Sequence, residues 1–539
     1  RSLIKLLRIL INLNKLLASK NSIIALKILA VLAALGVFAK AGMFFVSTVF
    51  NGGLSKRYNL FVAIPLILMV VVTAYFLYLL FRNKDFKYEQ LFLVCAICWG
   101  IVMQIVMPPL SGPDENTHYL AAYHGSNVVL FTNDWGPAGK WYFRVEDTQY
   151  PQYHENFPAE YQLLADGSWF GITPGFEGIT TNPEVTVLWY RYPFSSVGIA
   201  LARLVNLGCV GLLYAGRFMN TLAFILIGWL CVKLTPVGKA QIVGLTMLPL
   251  VMELCNSYSY DNMSILMSLL FAVLCMHYAT EESRFRFIDL FILTAVYALL
   301  IPNKIVYVLF APMLLMIPWK KWKGLLAEKN AKTWLQAGAY GIFAAVIIYF
   351  DFFKWTRISM EIMSKEEGSS IEQTARPAFT VGYMIKHPGE VIKLLWDTLR
   401  YYGWEDFRAM VGEQLGSHII IVYVTTALIV VLIVILLLQL IVNRGSFVGK
   451  RQFILYLLTS CMVLGAIIAG CLVRFTPTDG TDRLQVSARY YVPIFVLSLV
   501  FLGSDKKENK VALSLLYAQN LVYVLIMCDV LKYLITYGV

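Results

Sequence analysis

The chain has 539 residues, of which 58% are hydrophobic and 14% are charged, and its mean hydropathy is +0.66. A soluble protein of this length would need far more polar surface, so the composition predicts a polytopic membrane protein. The formal net charge of +12 could suggest a nucleic acid partner, but the basic residues cluster in short segments between apolar runs. That distribution is what orientation in a membrane requires, and nucleic acid is therefore excluded as a partner.

Residues 1–22 place leucine and isoleucine at helical spacing with lysine and arginine between them, which predicts a basic amphipathic helix on an anionic cytoplasmic leaflet. From residue 23 onward, apolar runs of roughly 20 residues predict thirteen transmembrane helices. The predicted spans are 23–49, 60–81, 91–107, 217–234, 240–257, 262–279, 287–301, 303–317, 335–353, 417–442, 452–473, 488–503 and 511–533.

Two long polar stretches, 108–216 and 354–416, divide these spans into three groups. The chain is therefore predicted to be an all-α membrane protein with helices in 23–107, 217–353 and 417–539 and with two large loops between them. The polar stretches are predicted to carry amphipathic helices parallel to the membrane.

The segment 194–210 is apolar enough to cross the membrane, but Ser195, Ser196, Gly198 and Arg203 interrupt it. If it does not cross, every later basic cluster falls on the same side as the basic N-terminus, in agreement with the positive-inside rule. We therefore predict a membrane-parallel helix at 194–210, a cytoplasmic N-terminus and two extracytoplasmic loops.

The stretch 108–216 is rich in aromatic residues. One interpretation is an aromatic belt at the membrane interface. The other is a sugar-binding wall, because aromatic faces pack on the apolar faces of pyranose rings. Proline and glycine punctuate the stretch, which indicates a small folded module with turns.

Two adjacent carboxylates, Asp114 and Glu115, follow directly on the predicted span 91–107. Acidic residues are ordinary at a helix N-terminus, where they complement the helix dipole. The alternative is a catalytic acid/base site at the membrane boundary.

Further polar residues stand at the same predicted ends of later spans. Asp261 begins one span, where a helix cap is an equal alternative, and Lys304 joins two spans. Three arginines, Arg474, Arg483 and Arg489, lie on the side where positive charge is not favoured topologically. Arginine there suits a phosphate, because its planar fork donates two parallel hydrogen bonds.

Several short motifs resemble those of the bacterial membrane protein family catalogued as domain of unknown function 2142, and more broadly those of GT-C membrane glycosyltransferases. They lie between about residues 91 and 503 and include a "P-D-E-x-x-H" at 113–118, a "G-R-x-x-N" at 216–220, an "S-x-x-x-D" at 257–261 and a "G-R-Y-x-x-P"-like segment at 488–493. The last departs from the family pattern, because Ala488 replaces the glycine. Tyr192 and Pro193, before the segment 194–210, resemble the second part of the GT-C first loop.

The resemblance implies a bacterial plasma-membrane enzyme that transfers a sugar from a polyprenyl-phosphate-linked donor to a cell-surface glycan or another envelope acceptor, with inversion. It implies Asp114 as the general base beside Glu115. Arg489 is the first candidate for the donor phosphate, followed by Arg217, Lys304, Arg474 and Arg483. The candidate substrate-binding residues are His118, Tyr119, Tyr192, Asp261 and Tyr490.

Two other functions remain open. A polysaccharide polymerase or ligase would use the same arginines but would have less need of the adjacent acids. A flippase for lipid-linked sugars would favour broken helices at the bilayer midplane. Metal dependence is left open, since some GT-C enzymes use a metal and others do not, and Asp114, Glu115 and Asp261 could in principle share a divalent cation.

Overall fold

A computed structural model describes most of the chain. The residues described are 20–49, 56–82, 85–132, 140–148, 169–170, 176–180, 189–325, 327–328, 330–355, 379–416, 421–442, 449–478, 483–503 and 510–536. Nearly all of the predicted basic helix at 1–22 lies outside these ranges, as do large parts of both long loops.

Helices dominate the described residues. In chain order they are α1 Lys20–Val49, α2 Lys56–Phe81, α3 Tyr88–Val106, α4 Glu115–Val129, α5 Pro193–Leu204, α6 Cys209–Leu234, α7 Lys239–Leu245, α8 Pro249–Asn256, α9 Asp261–Thr280, α10 Phe287–Leu300, α11 Trp319–Leu325, α12 Ala331–Ile348, α13 Val381–Lys386, α14 Pro388–Asp397, α15 Gly403–Val411, α16 Thr426–Val442, α17 Lys450–Phe475, α18 Val492–Leu502 and α19 Lys510–Thr536. Two small antiparallel hairpins accompany them, β1 Lys140–Arg144 with β2 Phe176–Thr180, and β3 Gln414–Gly416 with β4 Ile421–Tyr423. The chain is therefore largely helical, with a small strand content that the all-α prediction did not include.

Eight described helices are long and apolar enough to cross a membrane, and a ninth span results if one bent pair is counted as a single span. These eight coincide with the predicted spans 23–49, 60–81, 91–107, 217–234, 262–279, 335–353, 452–473 and 511–533. The other five predicted spans fall on shorter or interrupted helices. The structure thus supports a multi-spanning membrane protein with fewer full-length helices than the thirteen predicted.

The predicted span 240–257 is broken into α7 and α8, which are joined by a turn and are almost entirely buried. Pro249 begins α8, where it cannot continue the hydrogen bonding of α7. The side chain of Gln519 donates hydrogen bonds to the carbonyls of Gly244 and Met247, at 2.9 and 3.4 Å. A break inside a packed bundle persists because such donors satisfy the freed backbone groups.

The predicted span 303–317 is also not a straight α-helix. Residues Ile305–Met316 form a 3-10 helix that meets α11 at an angle of 90°. The span predicted at 417–442 contains β4, and its helix α16 begins only at Thr426. Apolarity alone predicted membrane spans here, but it did not fix the type of helix or the position of the breaks.

A second, smaller core lies beside the main one and supports the polar residues described below. It is built from α4, α5, α6 and the start of the first hairpin, and it contains Tyr119, Tyr123, Phe143 and Tyr258. α5 packs closely on α6, and a Cβ added at Gly198 would lie 2.5 Å from the carbonyl oxygen of Ala215. The glycine and serines that interrupt the segment 194–210 are therefore its packing face.

Candidate functional site

The stretch between α3 and α4 has an unusual backbone. Leu110 and Asp114 both adopt positive φ values, 71° and 54°, which side chains other than glycine rarely take. At Leu110 this conformation costs about 1–3 kcal/mol and persists only where the surrounding structure holds it, whereas aspartate tolerates it better. The turn is closed by Ser111, whose hydroxyl donates to the carbonyl of Pro108 at 2.6 Å. Asp114 is thereby directed away from the neighbouring Glu115.

Glu115 is almost completely buried and holds three segments together. Its carboxylate accepts the backbone N–H groups of Gly112 and Tyr258, at 2.8 and 2.9 Å. Its Oε1 lies 2.9 Å from the Nε of Arg217, which is equally buried. Arg217 in turn donates to the carbonyl of Met107 at 2.5 Å. Both side chains are therefore occupied in holding the ends of α3, α4 and α8 against α6.

The "G-R-x-x-N" motif contributes to this packing at each of its fixed positions. Gly216 leaves room for the ring of Tyr258, since an added Cβ would come within 2.2 Å of the tyrosine oxygen. Asn220 donates to the carbonyl of Ser257 at 2.6 Å. The motif thus positions the 257–261 segment relative to Asp114 and Glu115.

Asp114 belongs to a different cluster. Its carboxylate is bonded to the guanidinium of Arg489, which also donates to the carbonyl of Pro113 at 3.3 Å. The Nε of Arg489 lies 3.8 Å from Asp261, and Lys304 donates to the other oxygen of Asp261 at 2.9 Å. The four side chains form an alternating chain of charges, in the order Asp114, Arg489, Asp261 and Lys304.

Accessibility distinguishes the members of this cluster. The side chain of Asp114 is 43% exposed, whereas that of Asp261 is 1% exposed. Lys304 and Arg489 are mostly buried, at 16% and 12%. Asp114 is consequently the carboxylate that a molecule from outside can reach, with the two cations behind it.

Aromatic rings line the cationic groups. The ammonium of Lys304 lies 3.8 Å from the ring centre of Tyr490 and 5.4 Å from that of Tyr260. The guanidinium of Arg489 lies 5.5 Å from the ring centre of Tyr490. Rings hold cations in place without neutralising them, because the attraction comes from the ring quadrupole.

His118 is buried at the back of this cluster, against the ring edge of Tyr260. Its Nδ1 lies 2.8 Å from the hydroxyl of Tyr192, so the two side chains share a hydrogen bond. Burial and the nearby guanidinium of Arg489 hold the pKa of His118 well below its usual range. The imidazole is therefore neutral at physiological pH and adds no charge to the site.

Arg191 and Tyr260 were not among the residues selected from the sequence. The guanidinium of Arg191 lies 5.4 Å from the ring centre of Tyr260, and its Nε donates to the carbonyl of Pro302 at 2.8 Å. Arg191 is therefore a third cation in the site, beside the ring of Tyr260, which Lys304 also contacts. Arg191 and Tyr260 directly precede Tyr192 and Asp261, which were predicted to bind substrate. Their position next to predicted site residues was the only indication of them in the sequence.

The remaining predicted residues lie elsewhere. Tyr119 packs in the second core, edge-on to Tyr258. Arg483 pairs with Glu405 and Asp406 and stacks over Tyr402. Arg474 is exposed at the end of α17 and lies over Phe475. The structure thus brings Asp114, Asp261, Lys304, Arg489, Tyr490, His118 and Tyr192 together, and it separates these three residues from them.

The three acids considered for a shared cation do not converge on one point. Glu115 faces Arg217, while Arg489 lies between Asp114 and Asp261. Within the described ranges, no group of three or more histidine, cysteine or acidic side chains is arranged to hold a metal ion.

A comparison with protein families finds one match, a model described as "Predicted membrane protein (DUF2142)", over residues 97–498. The matched region runs from within α3 to within α18 and contains every residue of the cluster. No curated protein and no solved structure matches the chain.

Proposed function

Since the chain belongs to the DUF2142 family of predicted membrane proteins, we propose that its charged cluster is the active site of a GT-C-type glycosyltransferase. The enzyme takes a sugar from a polyprenyl-phosphate carrier and transfers it to a cell-surface glycan or another envelope acceptor. The reaction takes place on the extracytoplasmic face of the bacterial plasma membrane.

The cations support the choice of a lipid phosphate as donor. Lys304 and Arg489 lie where predicted spans end, so a carrier whose tail lies in the bilayer can present its phosphate to them. As the bond between the anomeric carbon and the phosphate oxygen breaks, its electron pair remains on the phosphate. Fixed cations in a largely water-excluded site stabilise that developing charge.

Asp114 supports the other half of the reaction. The acceptor hydroxyl attacks the anomeric carbon and loses its proton to the Asp114 carboxylate as the new carbon–oxygen bond forms. A single displacement of this kind inverts the anomeric configuration. Arg489 contacts both the base and the proposed phosphate position, and donor binding would therefore loosen its bond to Asp114 and free the carboxylate for the acceptor.

One observation carries this proposal, namely a half-exposed carboxylate bonded to an arginine that lies beside a second, buried carboxylate. The test is to delete the gene and to analyse the sugar composition of each cell-surface glycan. Loss of one sugar substituent, restored by the wild-type gene, is expected. Unchanged glycans in the deletion strain would refute the proposal.

The sidedness can be tested separately with residues that the structure exposes. In a background carrying Cys461→Ala, Lys393→Cys should react with an impermeant thiol reagent in intact cells. Lys320→Cys should react only after permeabilisation, because its basic segment is predicted to be cytoplasmic. The reverse pattern would place the cluster on the cytoplasmic side and exclude the extracytoplasmic reaction.

Substitution of Arg489 tests the phosphate assignment. Arg489→Ala should lower turnover of the lipid-linked donor by about 10²–10³, the usual loss for a group that stabilises transition-state charge. Arg489→Lys should recover part of the activity, because the ammonium retains the charge and loses the paired hydrogen bonds. Transfer is measured with purified protein, lipid-linked donor and acceptor.

The matched control is Arg483→Ala. It removes a guanidinium from the same stretch between α17 and α18, at a position that forms ion pairs with Glu405 and Asp406. It should retain most activity. Full activity of Arg489→Ala would transfer the phosphate-binding role to Lys304 or Arg191.

One observation favours flipping of lipid-linked sugars as a second candidate. The break between α7 and α8 resembles the discontinuous helices of transporters, and the buried Glu253 on α8 accepts the backbone N–H of Gly416 at 2.6 Å. Proteoliposomes distinguish the two functions. A flippase translocates a labelled lipid-linked sugar when no acceptor is present, whereas a transferase consumes it only when the acceptor is added.

A further inference from the structure

Helix α14 and the π-helical turn that continues it, Thr398–Tyr402, expose a row of large apolar side chains. Ile392, Trp396 and Leu399 are 66%, 61% and 67% exposed. Their spacing of four and three residues places them on one face of the helix. The segment thus exposes its large apolar side chains together on one side instead of burying them.

Another side of the segment is packed, which fixes its rotation. Val391, Leu394 and Leu395 contact the main core. The hydroxyl of Thr398 accepts the backbone N–H of Leu484 at 2.8 Å, on the loop that leads to Arg489. The apolar row therefore cannot turn inward to bury itself.

The charged residues form rows of their own. With about 100° of rotation per residue in α14, Lys393 lies about 80° around the helix from Ile392 and Trp396, and Glu390 and Asp397 lie about 130° from them. Lys393 and Arg400 are both exposed. Glu390 is engaged by its own neighbours, since it accepts the hydroxyl of Tyr383 at 2.6 Å and lies 3.2 Å from Nδ1 of His387.

This order of apolar, basic and then acidic rows matches the layers of a membrane surface. Charges at every third or fourth position prevent the segment from crossing the bilayer. A helix lying in the interface instead buries its apolar row among acyl chains and places the adjacent basic row at the depth of the lipid phosphates. The acidic row then faces water.

We propose that the basic side chains beside this apolar row, Lys393 on α14 and Arg400 on the π-helical turn, bind the headgroups of anionic phospholipids while Ile392, Trp396 and Leu399 insert between the acyl chains. Arginine can donate paired hydrogen bonds to one phosphate, and the flexible lysine side chain can reach a second. Anionic lipid is the occupant because the row that adjoins the apolar face is basic and the acids lie furthest from it. This inference is independent of the glycosyltransferase assignment.

Spin labelling of the full chain in lipid nanodiscs tests the proposal. A nitroxide at Trp396→Cys, in the Cys461→Ala background, reports depth through its relative exposure to oxygen and to a water-soluble nickel chelate. Labels at Leu457→Cys, on the exposed face of the span α17, and at the exposed Glu390→Cys serve as the membrane and water references. We expect the Trp396 label to resemble the Leu457 label, and to move deeper when phosphatidylglycerol replaces part of the phosphatidylcholine.

The double variant Lys393→Gln/Arg400→Gln should lose the response to phosphatidylglycerol while its Trp396 label remains in the membrane. The matched variant Glu390→Gln/Asp397→Asn removes two charges from the same helix and should keep the response. An unchanged Leu457 signal verifies that each variant is folded. A Trp396 label as accessible to nickel as the Glu390 label, or an equal lipid response in the Lys393→Gln/Arg400→Gln variant, would overturn the proposal.

Discussion

Asp114→Asn is expected to lower the rate of sugar transfer by roughly 10²–10⁴, the usual cost of losing a general base. Asparagine keeps the size of the side chain and can bond to Arg489, but it cannot accept a proton at neutral pH. Asparagine also tolerates the left-handed backbone at this position, where φ is 54°. Expression and thermal stability should therefore change little while turnover falls.

The comparison is made with purified protein in one assay, alongside Glu328→Gln as a control. Glu328 is an exposed carboxylate paired with Arg284, so the control removes an acid from an ion pair outside the cluster. It should retain full activity. Near-normal turnover of Asp114→Asn would remove Asp114 from the chemistry, and the transferase mechanism would lose its base.

Breaking the pair between Glu115 and Arg217 should produce the largest loss of stability. Either Arg217→Met or Glu115→Gln leaves a buried group without its charged partner, and the expected cost is about 3–5 kcal/mol in the free energy of unfolding. Both side chains are at most 1% exposed, so water cannot replace the missing partner. Thermal unfolding in detergent measures the effect.

The double variant Glu115→Gln/Arg217→Met separates charge pairing from other contributions. It removes both charges together and leaves neither partner unpaired. Because replacing a whole buried pair costs little stability, the double variant should be more stable than either single variant. The control is Lys239→Met, because the pair between Lys239 and Glu89 is partly exposed. This substitution should lower the free energy of unfolding by about 1 kcal/mol at most. Single variants as stable as the wild type would mean that the backbone N–H groups alone hold Glu115.

The sequence by itself determined that the chain is a membrane protein and determined the position of its longest apolar helices. This was possible because uninterrupted apolarity over about 20 residues has few alternatives to a spanning helix. The motifs at 113–118, 216–220, 257–261 and 488–493 also indicated the family, which the match over 97–498 supports. Local composition was sufficient for these inferences.

The geometry of the shorter apolar segments could not be predicted from the sequence in the same way. Residues 240–257 look continuous in sequence, yet Pro249 and the side chain of Gln519 allow them to form two buried half-helices. Gln519 is distant in the chain, and its effect on Gly244 depends on a tertiary contact. Hydropathy shows which segments are apolar. It does not show which side chain will hydrogen-bond the backbone groups that a break in the helix leaves unpaired.

Tertiary structure also decided how two adjacent acids differ. Asp114 and Glu115 are equivalent by position and charge, and the sequence therefore grouped them as one site. The left-handed turn at Asp114 directs its carboxylate to Arg489, while Glu115 points to the buried Arg217. These arginines lie 375 and 102 residues from their partners. Only the folded chain brings such distant charges together, because the interaction of two charges depends on their separation in space and on their burial.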